Sequence, residues 1–490
     1  MIPAPPESVQ RGSFSLLLGL VQAVLSRYPL PVSWSPQEPI FALATPPAAS
    51  AIAVIRVSGN RCLSLLSGLL GRPGRPGGTR GSIDLSRARG FSVRLAAILD
   101  GDEEIDEVLV TVFRSPRSYT GEDSAEISCH GGLPVIRRIL SLLGRGGFRQ
   151  AGPGEFTQRA FLNGKMDLTR AEAVNEIVRA RTDRARDLAL RRLCGAVESR
   201  IDDAREAVLD ALASLEARLD YPEEELDGQG LDMASLARAE EGLSGLAGTF
   251  RRGRIYQEGA TVAVAGATNA GKSSLFNQLL REDRAIVSEI HGTTRDWLEA
   301  EVSLEGVPVR LVDTAGLRDC ADPLEREGMR RAVQVTDAAD LVLYLVDAAA
   351  GLGALDREFL ERPEAGSRVI PVWNKTDLAG AGAVPDGFTG VSAATGDGVE
   401  ALGRLVASRL LDGPAADHGQ PLIDSERQRD LIGRALERLA SFRAGLEGGV
   451  PLDALALDLR AALDALGEIT GAVSSADVLE RLFGRFCVGK

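Results

Sequence analysis

The chain has 490 residues, which is too long for a single hydrophobic core and predicts several domains. Its 44% hydrophobic and 26% charged residues are typical of a soluble globular protein. A formal net charge of −13 excludes a protein whose whole surface binds nucleic acid, although it allows a local basic patch. The five cysteines are scattered, and no two have the C-x-x-C spacing of a zinc or redox site. We therefore expect free thiols, no disulfide framework and a cytoplasmic location.

The first 38 residues contain an apolar segment, Phe14–Leu25, that is 12 residues long. This segment is too short to span a bilayer. Only one arginine precedes it and no clear Ala-x-Ala cleavage site follows, unlike a signal peptide. We predict that residues 1–38 are a disordered extension, or that the start codon is assigned too far upstream, and that no part of the protein enters a membrane.

Residues 39–152 alternate short β-branched runs with helical patterns, which predicts a small α+β domain. Its predicted strands are Ile52–Val57, Phe91–Leu99, Ile105–Phe113 and Ser124–Ser128. Helices are predicted for Arg61–Leu70 and Leu133–Leu143, with a glycine- and proline-rich loop at Gly71–Gly78.

Helical patterns dominate residues 153–255 and return after a linker at 412–421. Apolar residues from Leu190 to Leu219 recur every three or four positions, which predicts one long helix. Further helices are predicted for Leu231–Arg254, Leu422–Leu446, Leu452–Leu466 and Ala476–Phe486. Residues 153–255 and 412–490 are therefore predicted to form one discontinuous helical domain, with residues 256–411 inserted in it.

The inserted domain contains a stretch, Gly266–Ser274, with the phosphate-binding spacing G-x4-G-K-S between a strand and a helix. The glycines allow backbone N–H groups to point at phosphate oxygens, and the helix N-terminus favours the same anion. Lys272 is expected to bind the β- and γ-phosphates, and Ser273 to coordinate Mg²⁺. The alternative is a glycine turn without a ligand. The predicted strands of this domain, suited to a parallel sheet buried on both faces, are Val262–Ala265, Val307–Val312, Leu341–Val346 and Val369–Val372.

Three short segments after these strands indicate that the bound base is guanine. Asp313–Gly316 has an aspartate that can bind Mg²⁺ through water and a glycine N–H that can contact the γ-phosphate. In Asn374–Asp377, the Asp377 carboxylate can accept both N–H groups that guanine has and adenine lacks. Ser392–Ala394 is expected to contact guanine O6 through backbone N–H groups. Each segment is weak evidence alone, but their order and spacing together predict GTP binding.

The segment Ser288–Asp296 lies where a GTPase has its first switch, and Thr294 is expected to coordinate Mg²⁺ and to contact the γ-phosphate. Leu317 follows Gly316, where Ras-type enzymes have a glutamine that orients water, so hydrolysis must obtain its water-orienting group elsewhere. The residues predicted to bind GTP are Asn269, Ala270, Gly271, Lys272, Ser273, Ser274, Ser288, Glu289, Ile290, His291, Gly292, Thr293, Thr294, Asp313, Thr314, Ala315, Gly316, Asn374, Lys375, Asp377, Ser392, Ala393 and Ala394.

Segments outside these motifs resemble the MnmE (TrmE) family of tRNA modification GTPases. The similarity extends over nearly all of residues 39–490, and other P-loop GTPases lack these segments. They are Ile40–Pro47 with Ile52–Gly59, then Tyr119–Asp123, His130–Gly132 and Pro153–Lys165, and finally Phe486–Lys490. The chain departs from the family's usual Pro-Pro-Gly-Arg-Gly at Ala48–Ser50, where a glycine turn and a cation are lost.

The resemblance implies a site for 5-formyl- or 5,10-methylene-tetrahydrofolate in the N-terminal domain. Cations suit the glutamate carboxylates of a folate, and a carboxylate suits the donors of the pterin edge. The alternative for each charged residue is a surface salt bridge. Cys487 is a candidate nucleophile beside this site, or else a tail cysteine that packs against Phe483 and Phe486. The implied folate ligands are Arg56, Glu126, Lys165 and Lys490.

The resemblance also implies catalysis of GTP hydrolysis by K⁺ in place of an arginine finger. A potassium ion between the α- and γ-phosphates would neutralise charge that develops in the transition state. Glu325 matches the acidic residue that positions the attacking water through a second water, and Lys272 completes the catalytic set. The residues that match the potassium ligands are Asn269, Ser288, Ile290 and Thr293.

Family members act as homodimers, with an FAD-dependent partner, MnmG, in a heterotetramer. The resemblance thus implies addition of an aminomethyl-type group to C5 of the wobble uridine of certain tRNAs. In this scheme GTP hydrolysis drives a conformational cycle. The alternative is a GTP-switched assembly factor, for instance in ribosome maturation, with no modification chemistry.

The predicted fold class is multidomain α/β plus all-α. An extension at 1–38 precedes the N-terminal α+β folate-binding and dimerisation domain at 39–152. The helical domain occupies 153–255 and 412–490 and ends in a Cys-Val-Gly-Lys tail. The inserted Ras-like P-loop GTPase domain occupies 256–411 and has a mostly parallel sheet.

Overall fold

The computed structural model describes residues 38–74, 81–220, 231–267, 269–282, 299–313, 338–361, 368–378, 380, 382–413 and 420–490. Two compact units are present, Met1–Ala171 with Ser474–Lys490, and Glu172–Val473. The N-terminal extension up to residue 37 lies outside the described residues. Among the helices within the described ranges, none is both long and apolar enough to cross a membrane. The predicted fold class is confirmed, whereas the domain boundaries at 152, 255 and 411 stay predictions.

The first unit is built on a seven-stranded sheet with the order β3-β4-β5-β6-β2-β1-β7. Every neighbouring pair is antiparallel except β1 with β7, which is parallel. The strands are β1 (Ile40–Leu43), β2 (Ile52–Ser58), β3 (Leu70–Gly71), β4 (Ser92–Asp100), β5 (Glu103–Phe113), β6 (Ser124–His130) and β7 (Arg149–Gln150).

One face of this sheet packs on two helices, α1 (Cys62–Ser67) and α2 (Leu133–Arg145). In β5 the side chains of Val108, Val110 and Val112 are buried on that face, as the two-residue period of a strand requires. The opposite face carries exposed apolar side chains, among them Leu95 (53% exposed) and Leu109 (47%), which are directly opposite each other in the strand register. This second face is therefore exposed at Leu95 and Leu109, whereas at β1 Phe156 of the next helix covers it.

Three further helices belong wholly or partly to this unit: α3 (Glu155–Leu162), α4 (Leu168–Arg179) and the C-terminal α14 (Ala476–Phe483). A small core of Leu168, Ala171, Phe483 and Phe486 joins them. The prediction that the last helix reaches Phe486 is wrong, because it ends at Phe483, where Gly484 caps it. The remaining residues form an extended tail.

Six described helices lie wholly in the second unit on either side of the inserted domain: α5 (Asp183–Leu193), α6 (Ala196–Asp220), α7 (Met233–Gly248), α8 (Phe250–Glu258), α12 (Glu426–Glu447) and α13 (Leu452–Thr470). The prediction of one long helix through Leu190–Leu219 is wrong. The chain breaks at Gly195, whose φ of 91° no α-helix contains. The predicted helix Leu231–Arg254 is likewise two helices, divided at Thr249.

A buried charge cluster fixes the start of α12 to α4 and α5. The guanidinium of Arg192, 2% exposed, lies 2.8 Å from Glu176 and also pairs with Asp424. Burial raises the pKa of Glu176 well above its usual value, against the opposing charge of Arg192. Because Glu176 precedes the inserted domain and Asp424 follows it, this cluster holds together the chain on both sides of the insertion.

The inserted domain has a six-stranded sheet with the order β13-β12-β11-β8-β10-β9. All neighbouring pairs are parallel except β9 with β10, so the predicted mostly parallel sheet is confirmed. Its strands are β8 (Ala260–Gly266), β9 (Glu299–Leu304), β10 (Val307–Asp313), β11 (Leu341–Asp347), β12 (Val369–Asn374) and β13 (Thr389–Gly390). Its helices are α9 (Lys272–Glu282), α10 (Ala354–Leu360) and α11 (Val399–Leu410).

Candidate functional site

The predicted phosphate-binding loop lies between β8 and α9, at the carboxyl end of the parallel strands. Two of its glycines are required by close approach of neighbouring backbone and side chains. A Cβ atom on Gly266 (φ 140°) would lie 2.3 Å from the Leu345 carbonyl oxygen. A Cβ atom on Gly271 (φ 92°) would lie 2.3 Å from Asn374 Nδ2. The loop can therefore pack against β11 and β12 only with glycine at both positions.

Lys272 and Ser273 begin α9 and face the loop and β10. The Lys272 ammonium donates to the carbonyl oxygens of Gly266 (3.1 Å) and Ala267 (2.8 Å). The Ser273 hydroxyl donates to Asp313 Oδ2 at 3.0 Å. A lysine held at a glycine loop suits phosphate oxygens, and the hydroxyl–carboxylate pair supplies the hard oxygen donors that Mg²⁺ prefers.

The guanine-type motifs meet the phosphate loop through Asn374, which is 1% exposed. Its Nδ2 donates to the Ala270 carbonyl at 2.7 Å, and its Oδ1 accepts from the Ala393 N–H at 3.1 Å. The Ser392 hydroxyl donates to Asp377 Oδ1 at 2.6 Å. Asn374 thus links the phosphate loop to the segments Asn374–Asp377 and Ser392–Ala394.

Asp347, at the end of β11, is a member of this site that sequence reasoning missed. Its carboxylate lies 2.7 Å from the Lys375 ammonium, and this hydrogen bond lowers the pKa of Asp347 below its usual value. Lys375 itself has φ 67°, so the pair fixes an unfavourable backbone conformation beside the base-recognition motif. The available signal was an aspartate directly after a predicted buried strand.

A second group of predicted residues lies in the first unit, on β2 and β6. Arg56 and Glu126 are opposite each other in the strand register, and Arg56 donates to Glu126 Oε1 through Nη2 at 2.8 Å and Nε at 3.1 Å. The Arg56 guanidinium also lies over the rings of Tyr119 (5.2 Å) and Phe156 (5.6 Å). Arg56 and Glu126 are therefore brought together as one paired group.

The C-terminal tail reaches this group. The Gly489 carbonyl accepts from Arg56 Nη1 at 3.4 Å, and the Cys487 carbonyl accepts from the N–H groups of Gly154 (3.4 Å) and Lys490 (3.3 Å). The Cys487 thiol is exposed. By contrast, the Lys165 ammonium donates to the Pro116 carbonyl at 2.9 Å, so its described contact is with a neighbouring turn and not with Arg56 or Glu126.

Ser50, in the loop before β2, is held by hydrogen bonds on both sides. Its hydroxyl donates to the Ile52 carbonyl at 2.8 Å, and its N–H donates to the Gly131 carbonyl at 3.2 Å. A Cβ atom on Gly131 would lie 2.3 Å from the Ser50 carbonyl oxygen. The loop before β2 is thus held against the segment after β6 without a glycine at position 50.

Comparison with known proteins decides the family. A model of the MnmE helical domain matches residues 168–487, and a model of the GTP-binding protein TrmE N-terminus matches residues 39–165. The tRNA modification GTPase MnmE of Moorella thermoacetica is 43% identical over 467 residues, which cover 92% of this chain and 99% of that protein. The protein of the same name from Treponema denticola is 42% identical over 476 residues, covering 92% and 98%.

The chain belongs to the MnmE family of tRNA modification GTPases. A third relative, the MnmE of Symbiobacterium thermophilum, is 43% identical over 93% of this chain and its own full length. Among solved structures, Aquifex aeolicus Era is 23% identical over 36% of this chain and 66% of its own, with a TM-score of 0.26 that is too low to define a shared fold. As a member of the MnmE family, the chain is a GTP hydrolase, and its Ser273–Asp313 pair fits the Mg²⁺ that such enzymes use.

Several residues predicted for this MnmE-family GTPase lie outside the described residues. They are Ser288, Glu289, Ile290, His291, Gly292, Thr293, Thr294, Thr314, Ala315, Gly316 and Glu325. Within the described part, Asn269 is exposed and has φ 66°, a conformation that asparagine tolerates better than most residues. Its predicted potassium partners are all in the undescribed switch segment, so the potassium site stays a prediction.

Proposed function

We propose that this chain, in a heterotetramer with an FAD-dependent MnmG-like partner, adds an aminomethyl or carboxymethylaminomethyl group to C5 of the wobble uridine of certain tRNAs. The carbon is supplied by 5-formyl- or 5,10-methylene-tetrahydrofolate, and GTP hydrolysis drives a conformational cycle. The observation that supports this proposal is the contact of the C-terminal tail with the Arg56–Glu126 pair, in which Arg56 donates to the Gly489 carbonyl. A simple GTP switch has no need of that arrangement, which lies in a different unit from the nucleotide motifs.

At the nucleotide site, the described residues bind and orient GTP. Lys272, whose ammonium donates to the Gly266 and Ala267 carbonyls, would bind the β- and γ-phosphates. Ser273, with Thr294 from outside the described residues, would hold Mg²⁺, and Asp377 would accept the guanine N–H groups. When bound, Mg²⁺ and K⁺ neutralise the negative charge that develops on the phosphates during hydrolysis. Glu325 positions the attacking water in this proposal. Asn374 keeps the phosphate loop and the base-recognition loops in one arrangement, which reduces the reorganisation needed on binding.

We expect GTP hydrolysis to depend on potassium through Asn269. Turnover should be about 10-fold or more faster in K⁺ than in Na⁺ at equal ionic strength, because the ion replaces an arginine finger. Asn269→Gly keeps the left-handed backbone and removes the amide oxygen, so it should abolish the difference between the two ions. Asn277→Ala, an exposed amide on α9, is the matched control. Equal turnover of the unchanged protein in both ions would refute the potassium site.

The folate proposal rests on charge and shape in the first unit. Arg56 supplies a cation beside two aromatic rings, Glu126 supplies a carboxylate, and Lys490 arrives on the tail. Lys165 would have to leave the Pro116 carbonyl to reach a ligand carboxylate at the same site. The exposed thiol of Cys487 is the proposed nucleophile. With Cys487 as the nucleophile, Cys487→Ser should stop tRNA modification without weakening folate binding. Unchanged modification in this variant would contradict the role.

A homodimer is proposed through the exposed apolar part of the first sheet, on β4 and β5. Leu95 and Leu109 are opposite each other and about half exposed, and Val93 (54% exposed) lies two residues from Leu95 on the same face. Exposed apolar side chains grouped in this way are unfavourable in water, and they suit a second copy of the same surface. We expect Leu95→Asp with Leu109→Asp to give monomers in sedimentation, whereas Leu457→Asp, an exposed leucine on α13, should not. An unchanged dimer in the double variant would contradict this interface.

Analysis of tRNA nucleosides tests the function as a whole. Deletion of the gene should remove the C5 modification of wobble uridines, and the unchanged gene should restore it. A gene encoding Arg56→Gln should fail to restore it although the protein still hydrolyses GTP, because the variant affects only the first unit. Wobble uridines that are unchanged after deletion would refute the proposal and favour the GTP-switched assembly factor.

A further inference from the structure

Glu155, the first residue of α3, is a buried carboxylate with only 3% of its surface exposed. It accepts from Arg149 Nη2 at 2.6 Å and from Arg159 Nη2 at 2.9 Å. Arg149 also forms an ion pair with Glu38 (2.9 Å). Arg159, which is 1% exposed, forms a second ion pair with Glu122 (3.2 Å). Glu155 is therefore the central carboxylate of a chain of five alternating charges. Burial would raise its pKa, but Arg149, the Gly152 N–H and Arg159 outweigh burial and lower the pKa below its usual value.

The same carboxylate also holds the backbone that precedes α3. Glu155 Oε2 accepts from the Gly152 N–H at 2.9 Å, which closes the turn Gly152–Gly154 onto the buried charge chain. Arg149 Nη1 contacts both Glu155 Oε2 and the Gln150 carbonyl, each at 3.0 Å. The Glu155 carboxylate thus contacts both Arg149 and Gly152, at the two ends of the short segment that leads into the turn.

The turn Gly152–Gly154 is the surface on which the C-terminal tail lies. A Cβ atom on Gly154 (φ 64°) would lie 2.8 Å from the Phe483 carbonyl oxygen and 3.0 Å from Phe486 Cβ. Gly154 N–H donates to the Cys487 carbonyl, and Pro153 forms a β-bridge with Val488. On the other side of the tail, a Cβ atom on Gly489 (φ 98°) would lie 2.6 Å from the Leu43 carbonyl oxygen. The tail therefore fits only if the turn keeps its position.

We propose that Glu155 is a positioning residue for the folate site, acting through the Gly152–Gly154 turn to hold the C-terminal tail on Arg56. It does not contact the proposed ligand itself. In Glu155→Gln the side chain loses its charge and keeps a single acceptor oxygen for the donors of Arg149, Arg159 and Gly152, so the turn and the tail lose their fixed position. The link to folate rests on the proposed function, whereas the link to the tail does not.

Two measurements on the full chain test the proposal. In Glu155→Gln, carboxypeptidase should release the last residues about 10-fold faster than in the unchanged protein, and the Kd for 5-formyl-tetrahydrofolate should rise about 10-fold, with GTP turnover unchanged. Glu176→Gln is the matched control, because Glu176 is a buried carboxylate paired with a buried arginine in the other unit. The control should change neither tail release nor folate binding.

A double-variant cycle distinguishes positioning from a general loss of structure. Gly489→Ala displaces the tail directly, so Glu155→Gln should weaken folate binding little further in that background. Equal weakening with and without Gly489→Ala, or unchanged release of the tail in Glu155→Gln, would overturn the proposal. If Glu155→Gln does not fold, Gly154→Ala is measured instead and should also speed the release of the tail by carboxypeptidase. A tail that is released no faster in Gly154→Ala overturns the proposal. If the unchanged protein binds no folate, the proposed function fails, while tail release still decides the role of Glu155.

Discussion

Asp377→Asn is expected to lower kcat/KM for GTP by about 100-fold or more and to raise kcat/KM for xanthosine triphosphate. A carboxylate accepts both N–H groups of guanine, and each charge-assisted hydrogen bond contributes about 1.5–3 kcal/mol. The asparagine amide would supply an NH2 donor beside its carbonyl oxygen, which suits the additional carbonyl of xanthine. The Ser392 hydroxyl, which donates to Asp377 Oδ1, can still donate to the amide oxygen, so the loop geometry should persist.

Steady-state hydrolysis of the two nucleotides checks this prediction. Asp340→Asn is a suitable control, because Asp340 accepts from the Thr261 N–H at the amino-terminal end of the same sheet. The control should leave the ratio of the two kcat/KM values unchanged. An unchanged ratio in Asp377→Asn would mean that this carboxylate does not recognise the base.

Arg56→Gln is expected to weaken binding of 5-formyl-tetrahydrofolate by about 100-fold, with no change in GTP turnover. The variant removes the cation, leaves the Glu126 carboxylate without its partner and frees the Gly489 carbonyl of the tail. Truncating one partner of a hydrogen-bonded charge pair typically costs about 2–5 kcal/mol in binding. The expected effect is large because a single substitution disturbs the ligand cation, the paired carboxylate and the tail together.

A fluorescence titration with the folate and a parallel GTPase assay measure both parts of this prediction. Arg145→Gln is the control, since Arg145 pairs with Asp100 at 2.7 Å in the same unit but away from the tail. If the folate affinity of Arg56→Gln is within about twofold of that of the unchanged protein, Arg56 does not bind the folate. A parallel loss of GTP turnover would instead indicate a general defect.

The contiguous motifs were predictable in detail. In Gly266–Ser274 the strand, the glycines, the lysine and the helix are neighbours in the chain, so their spacing alone predicts a phosphate loop. Strands such as β5 were predictable for the same reason, because a period of two residues depends only on which side chains alternate. The helix break at Gly195 was missed because the apolar period continues across it, although the backbone there has φ 91°.

The contacts between distant segments were not predictable from residue patterns. Asn374 binds the Ala270 carbonyl 104 positions away, and Arg56 binds the Gly489 carbonyl 433 positions away. The family resemblance implied that the tail reaches the folate site, but not which backbone groups hold it. The alternating charges around Glu155 likewise come from five separate positions between Glu38 and Arg159.

By itself, the sequence determined that this protein has a phosphate loop, guanine-recognition motifs and a discontinuous arrangement of helical and α/β segments. These properties depend on residues close together in the chain, where spacing and backbone preference are sufficient. Only the tertiary structure decided that Asn374 links the phosphate loop to the base-recognition segments, that Leu95 and Leu109 are exposed on one face of the first sheet, and that the tail lies on Gly154 and Arg56. Such contacts depend on how whole elements pack, and no local pattern of residues encodes them.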